Sequence, residues 1–183
     1  REVLGGQIQR QEPTVQGVLE QALPRVATHE ARVTCCGRTD TGVHALNQVA
    51  HFDSEAHRSE RSWILGLNSH LPKGASVLWI REVDDDFHAR FSAFARTYQY
   101  RILNRWIRPA LDSRRMSWCR VPLDADAMND AAQALLGEHD FTSFRATGCQ
   151  ARHATREIQA ISVEREADTV VLDVTANWFL YHM

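Results

Sequence analysis

The sequence predicts an α+β fold made of two split β-α-β (ferredoxin-like) halves that share a mostly antiparallel sheet. Three observations carry that expectation. Helix-period apolar stripes and strand-period alternation succeed one another twice along the 183 residues. No repeat, linker or low-complexity tract separates the two rounds. No apolar run approaches the roughly 20 residues that a membrane-spanning helix needs.

In the first round, Thr14 is placed to cap a helix with Val15, Val18, Leu19, Ala22, Leu23 and Val26 on one face. Strand-like residues follow at 32–35, and then a glycine-flanked loop at 37–42. Residues 43–52 read as a second strand. A helix is expected over about 59–68, with Trp63, Ile64 and Leu67 on one side. "LPKG" reads as a turn and "ASVLWIREV" as a buried strand. Residues 93–103 alternate with period two, Phe94, Tyr98, Tyr100 and Ile102 sharing one parity. "NRWIRPALDSRR" is a connecting loop and a natural midpoint, dividing the chain into an N-terminal half, 1–105, that carries the glycine-flanked loop, and a C-terminal half, 106–183, of one catalytic unit. In the second round Asp124 is placed to cap a helix with the stripe Met128, Ala131, Ala132, Leu135 and Leu136, ended by Gly137. "REIQAISVERE" and "DTVVLDVTA" then read as a hairpin.

Composition narrows the function classes. The four cysteines, at 35, 36, 119 and 149, form no C-x-x-C pair, and adjacent Cys35 and Cys36 do not readily bridge, so free thiols in a reducing cytoplasm are expected. The first ten residues lack the apolar core of a signal peptide. The nine histidines are scattered without metal-site spacing, so no metal is expected. Net charge is −2, yet residues 87–120 hold eight arginines against the single acid Asp112. The same segment carries seven of the fifteen aromatic residues. Guanidinium groups pair with phosphates and rings stack on bases, which fits an RNA-binding face. A strand with rings inward and arginines in water fits the same composition.

"CCGRTDTGVHA", residues 35–45, frames Asp40 between two glycines. "DTG" on its own matches half of an aspartic-protease site, but that site needs two carboxylates sharing one proton. With Arg38 within about 4–6 Å, the carboxylate would be held ionised, its pKa lower by roughly 1–3 units. An ionised aspartate suits a nucleophile or a base rather than a shared proton. A turn-capping aspartate remains the alternative. A homodimeric hydrolase using Asp40 and a cysteine hydrolase using Cys35 or Cys36 are weaker readings; the latter has no orienting partner.

"GRTDTGVHA" is similar to the G-R-T-D-x-G-V-H-A signature of the tRNA pseudouridine synthase A family. "QVAHF", "NSHLP", "DDFHARFSA", "RTYQYRI", "NRWIRPA", "LLGEHDFTSFRA" and "WFLYHM" resemble that family's landmarks, in its order, from about Thr14 to Met183. The resemblance implies the pseudouridine synthase fold. It also implies isomerisation of uridine to pseudouridine at positions 38, 39 and 40 of the tRNA anticodon stem-loop, without cofactor, by a cytoplasmic homodimer. It places Asp40 at the catalytic aspartate and Tyr98 at the active-site tyrosine. Arg38 falls at the motif arginine that pairs with the aspartate and contacts RNA, and His88 and Arg90 at residues supporting the site or the RNA backbone. The family's opening Y-D-G and G-W-Q strand leaves only a trace in "REVLGGQIQRQE", and its V-R-N arginine follows the point where these 183 residues stop. If they were the whole protein, weakened folding and activity, or a non-catalytic RNA-binding module, would be expected.

Overall fold

The computed structural model describes residues 14–37, 39–40 and 42–183; the N-terminal trace of the family's first strand and Arg38 lie outside them. The chain forms two compact units, one ending at Ala93 and one running from Phe94 to Met183. Both mix helices and strands, so the α+β class holds.

The first unit begins with α1 (Val15–Ala27), capped as expected by the Thr14 hydroxyl, which accepts from the Gly17 N–H. Strands β1 (Thr34–Cys35) and β2 (Ala50–His51) pair antiparallel. Helix α2 (Glu60–His70) is capped by Ser59. Leu23, Val26, Val33, Trp63 and Leu67 are buried together, with Leu19, Phe52, Val77 and Ile80 packed against them. The apolar stripes of both helices therefore meet, and they meet closely. A Cβ built on Gly66 of α2 would lie 2.9 Å from a Val26 methyl.

Of two expected strands in this unit, that over 43–52 is reduced to Ala50–His51 and that over 75–83 does not form. Residues 43–49 are a loop, because β1 offers only Thr34 and Cys35 as partners for β2 before Gly37 turns away. Residues 75–83 form no strand and join no ladder among the described residues. Their backbone is engaged instead by a side chain. Asn68 Nδ2 donates to the Val77 carbonyl and Asn68 Oδ1 accepts from the Val77 N–H, both at 2.8 Å. Val77 and Ile80 pack inward, while Leu78 and Trp79 stay exposed.

The second unit contains a five-stranded sheet in the order β4-β3-β7-β6-β5. Its strands are β3 (Arg96–Asn104), β4 (Ser117–Cys119), β5 (Gly137–Asp140), β6 (Thr155–Glu166) and β7 (Thr169–Ala176), and α3 (Ala125–Gln133) packs on it. The expected β6–β7 hairpin is present, and β3 pairs antiparallel with β7. Only β3 with β4 is parallel. On the helix-covered face, Val163 and Val170 are buried with Ala125 and Ala132, and Ile102, Met128 and Leu172 pack around them. Beyond the reach of β5, the edge of β6 is covered by α3 side chains. Asn129 Oδ1 accepts from the Val163 N–H and Gln133 donates to the Ile161 carbonyl.

The third helix is shorter than the sequence predicts. The N–H groups of Ala134, Leu135 and Leu136 bond three residues back, to Ala131, Ala132 and Gln133, so the chain tightens before Gly137 turns it at φ 90°. Leu135 then packs in a second core around Phe141, Ile158, Ala176 and Leu180, while Ala131 and Leu136 are exposed. The Asp124 cap is as expected, its carboxylate accepting from the Ala127 N–H at 3.0 Å.

The Gly66 contact generates a stability prediction with two opposing terms. Replacing a helical glycine by alanine gains about 1 kcal/mol of helix propensity. Overpacking against a stiff β-branched side chain costs roughly 1–3 kcal/mol. Gly66→Ala is therefore expected to lower the thermal midpoint, and Gly66→Ala with Val26→Ala to exceed Val26→Ala alone, both read by calorimetry.

Candidate active site

Asp40 is presented by the loop that joins β1 to β2. That loop is closed at its base by the two-residue ladder, by the Cys36 N–H donating to the Val49 carbonyl at 2.8 Å, and by Gln48 Nε2 donating to the Gly37 carbonyl at 2.9 Å. Inside it, the Val43 N–H donates to the Asp40 carbonyl at 3.1 Å, making a four-residue turn. Gly42, the third residue of the turn, has φ 89°, the left-handed region that only glycine adopts freely. A Cβ there would meet nothing described within 4 Å. Gly42 is thus required by the backbone turn rather than by crowding. The Asp40 side chain is exposed, and so are Val43, His44 and, at 93 %, Leu46.

His88 and Arg90 lie together in a second turn of the same unit. His88 Nδ1 accepts from the backbone N–H groups of both Arg90 and Phe91, each at 3.2 Å. The Ser92 N–H donates to the His88 carbonyl, and the His88 N–H donates to Ser92 Oγ. The imidazole stacks on Phe91 (centroids 4.2 Å apart) and meets the edge of His51 at 4.7 Å. His51 in turn accepts, through Nδ1, from the Ala89 N–H. His88 is thus the hub of the turn that carries Arg90, whose guanidinium lies 5.8 Å from the Phe91 ring centre. His51 was not singled out in the sequence, because its bond to Ala89 spans 38 residues and follows no spacing rule.

Tyr98 belongs to the second unit, on β3, and shares its face with Arg96, Tyr100 and Ile102. Strand parity orders these residues as the sequence predicts, but Phe94 is 86 % and Tyr100 54 % exposed, so this part of the stripe is not core. Tyr100 bonds through its hydroxyl to Ser117 Oγ. The ring of Tyr98 meets Phe179 edge-on, with centroids 4.9 Å apart and planes at 88°. Arg96 stacks on Trp178 at 3.8 Å and donates to the Asn177 carbonyl. Trp178 and Phe179 lie about 80 residues from their partners, and nothing in the local pattern of "NWFLYHM" announces those contacts.

The thiols are electrostatically unlike. Burial pushes the Cys35 thiol up, with the nearby Glu20 and Cys36 adding to it. Backbone hydrogen bonds at Tyr181 and Ala151, joined by Arg145, pull the Cys149 thiol down. Among the described residues no group of three or more histidine, cysteine or acidic side chains could hold a metal ion. No helix among them is long and apolar enough to cross a membrane.

Comparison with known proteins defines the class. The sequence profile of the tRNA pseudouridine synthase family matches residues 5–92 and 131–183. The tRNA pseudouridine synthase A of Methylococcus capsulatus is 52% identical over 179 residues, 98% of this chain and 66% of the relative. Proteins of the same name from Xylella fastidiosa strain M12 and Xanthomonas axonopodis pv. citri are each 56% identical over 171 residues, 93% of this chain and 66% of theirs. The chain belongs to the tRNA pseudouridine synthase family. It spans about two thirds of the length of these curated relatives.

Two predictions follow from the geometry. His88→Ala removes the acceptor of two backbone N–H groups and should cost about 1–3 kcal/mol in urea unfolding, at roughly 0.5–1.5 kcal/mol per bond. His88→Asn, which can offer an amide oxygen in a similar place, should recover part of that loss. For the thiols, the thiolate is the reactive form. Iodoacetamide labelling followed by peptide mapping should modify Cys149 well before Cys35, and as pH is raised the Cys149 rate should climb over a lower pH range than the Cys35 rate.

Proposed function

We propose that this protein isomerises uridine to pseudouridine at positions 38, 39 and 40 of the tRNA anticodon stem-loop, with Asp40 as the reacting carboxylate. The observation that carries the proposal is the presentation of Asp40, an exposed carboxylate on a glycine-kinked turn within "GRTDTGVHA". The reaction breaks the bond from the ribose C1′ to N1 of uracil and joins the same base through C5. A proton leaves C5 and one is gained at N1, so the change is redox-neutral and asks for no cofactor. A carboxylate beside C1′ and C6 serves as nucleophile, as base, or as each in turn.

The remaining residues take supporting roles. Tyr98 offers a ring for the extruded uracil to stack on, and its hydroxyl assists proton transfer. Arg38, two residues before Asp40, pairs with the carboxylate before RNA arrives and contacts RNA afterwards. His88 holds the turn that directs Arg90 to the RNA backbone, a role its two accepted hydrogen bonds favour. The segment 105–120, with Arg105, Arg108, Arg114, Arg115 and Arg120 beside an exposed Trp106, supplies further phosphate contacts. Family membership favours the split β-α-β arrangement for the two halves, together with a cytoplasmic homodimer acting on tRNA.

Asp40→Asn keeps the side chain's shape but removes its charge, and with it the nucleophile and base. Pseudouridine formation in an anticodon stem-loop should fall by at least about 10³-fold, while affinity for that RNA, measured by filter binding, changes little. Turnover near wild type in Asp40→Asn would rule out this mechanism. Tight RNA binding by the unsubstituted protein without isomerisation would instead favour a non-catalytic RNA-binding module.

A further inference from the structure

The chain that leaves β7 turns back over the start of β3, and it is fastened on both sides as it does so. Ala176, the last residue of β7, pairs with Arg96 on one side and Ile158 on the other. Asn177 continues the attachment to β6. Its N–H donates to the Glu157 carbonyl at 3.1 Å, and its side-chain oxygen accepts from the N–H groups of Glu157 and Trp178 at 3.2 and 2.7 Å. Its carbonyl accepts from Arg96 of β3 at 3.3 Å. The Arg96 guanidinium then lies 3.8 Å from the centre of the Trp178 ring, inside cation–π range. Leu180, one residue past Phe179, is buried at 5 % exposure with Phe141, Ile158 and Ala176. Phe179 is therefore held between two anchored neighbours, and it faces the ring of Tyr98.

That contact is an edge-to-face pair, with centroids 4.9 Å apart and planes at 88°. Aromatic pairs favour this arrangement because the positive edge of one ring meets the negative face of the other. A tyrosine has two main side-chain torsions. Its backbone is fixed by the β3–β7 ladder, where Tyr98 stands opposite Val174. Phe179 closes off part of the remaining freedom from one side, and Tyr98 is 38 % exposed. A ring held by a fixed neighbour and still partly exposed has less rotamer freedom to lose when it receives a flat partner.

We propose that Phe179 is a positioning residue for Tyr98, and that the Asn177–Phe179 turn, clamped by Arg96, Trp178 and Glu157, presets the Tyr98 ring for the target uracil. The inference rests on the reading of Tyr98 as the ring that stacks on the base. Phe179 acts through Tyr98 and touches no substrate.

The test uses the natural full-length protein with Phe179→Leu, Phe179→Tyr, Trp178→Leu, Tyr98→Phe and Tyr98→Ala. Single-turnover isomerisation of an anticodon stem-loop is measured beside affinity for the same RNA. The ¹⁹F resonance of 3-fluorotyrosine at position 98, assigned by its loss in Tyr98→Phe, reports the ring's surroundings. Phe179→Leu should lower the rate by about tenfold, the scale of losing one aromatic pair and some orientation, with affinity unchanged. The Tyr98 resonance should shift, and Phe179→Tyr should restore both rate and resonance. If Phe179→Leu folds poorly, Trp178→Leu, which loosens the clamp without touching Tyr98, should move both readouts in the same direction. A wild-type rate with a displaced Tyr98 resonance overturns the inference. So does a rate loss with the resonance unmoved. A wild-type rate in Tyr98→Ala instead overturns the reading of Tyr98, whatever Phe179 does.

Discussion

The antiparallel ladder between β3 and β7 is the constraint on which the second unit depends. It runs from Arg96 opposite Ala176 to Leu103 opposite Thr169, eight residue pairs. Side chains alternate between the faces of a strand, so a one-residue slip would exchange them all. Both faces oppose such a slip. On one, Ile102, Val170, Leu172 and Val163 close over α3. On the other, Thr97 meets Thr175 through their hydroxyls at 2.8 Å, and Gln99 donates to Asp173 at 3.1 Å. Tyr98 takes its direction from this register, since it lies on the helix-side parity but toward the end of the ladder that α3 does not reach. The buried part of the face fixes the register, and the open part displays the ring.

The first unit solves the presentation of Asp40 by different means. A two-residue ladder is too short to be stable alone, since isolated hairpins are marginal in water. Its position comes from the core beside it, where Val33 and Cys35 are buried with Leu23, Val26, Trp63 and Leu67. Glu20 of α1 reinforces this by accepting from the Val33 N–H at 3.0 Å, and Gln16 donates to the Val33 carbonyl at 2.9 Å. The helix therefore holds the strand that leads into the loop, and the Gln48 and Cys36 bonds hold the loop's return. An irregular loop anchored at both ends is a common way to expose a reactive side chain from a rigid scaffold.

Much of this was legible in the sequence where the signal is local. Thr14 and Asp124 read as caps because a short polar side chain before an apolar stripe has one obvious use, and both accept the expected N–H groups. The β6–β7 hairpin was legible because alternation over two long runs fits little else. The failures are of two kinds. Residues 43–49 and 75–83 carry strand-forming side chains, but a strand also needs a partner, and partner supply is a tertiary fact. Asn68 supplies a side chain where a strand would have supplied backbone. The end of α3 failed for a local reason of another sort: three consecutive N–H groups bond one residue short of the helical partner, which no stripe of alanines and leucines reveals. In the candidate site, Asp40 and Tyr98 are singled out by the resemblance to the family's motifs. Phe179, Trp178 and His51 are not, because each acts through a contact between residues far apart in the chain.

Exposure of Asp40 bears on how the proposed chemistry is divided between protein and RNA. A carboxylate in water is well solvated and a weak nucleophile, and it gains reactivity when water is replaced by fixed neighbours. Asp40 stands exposed on a held backbone. In the proposed reaction it is the docked nucleotide that would exclude water when the carboxylate is needed. In this arrangement the protein's investment is in direction rather than desolvation. The hydrogen bonds that close the β1–β2 loop and the positive φ of Gly42 matter because they fix where the loop presents the carboxylate.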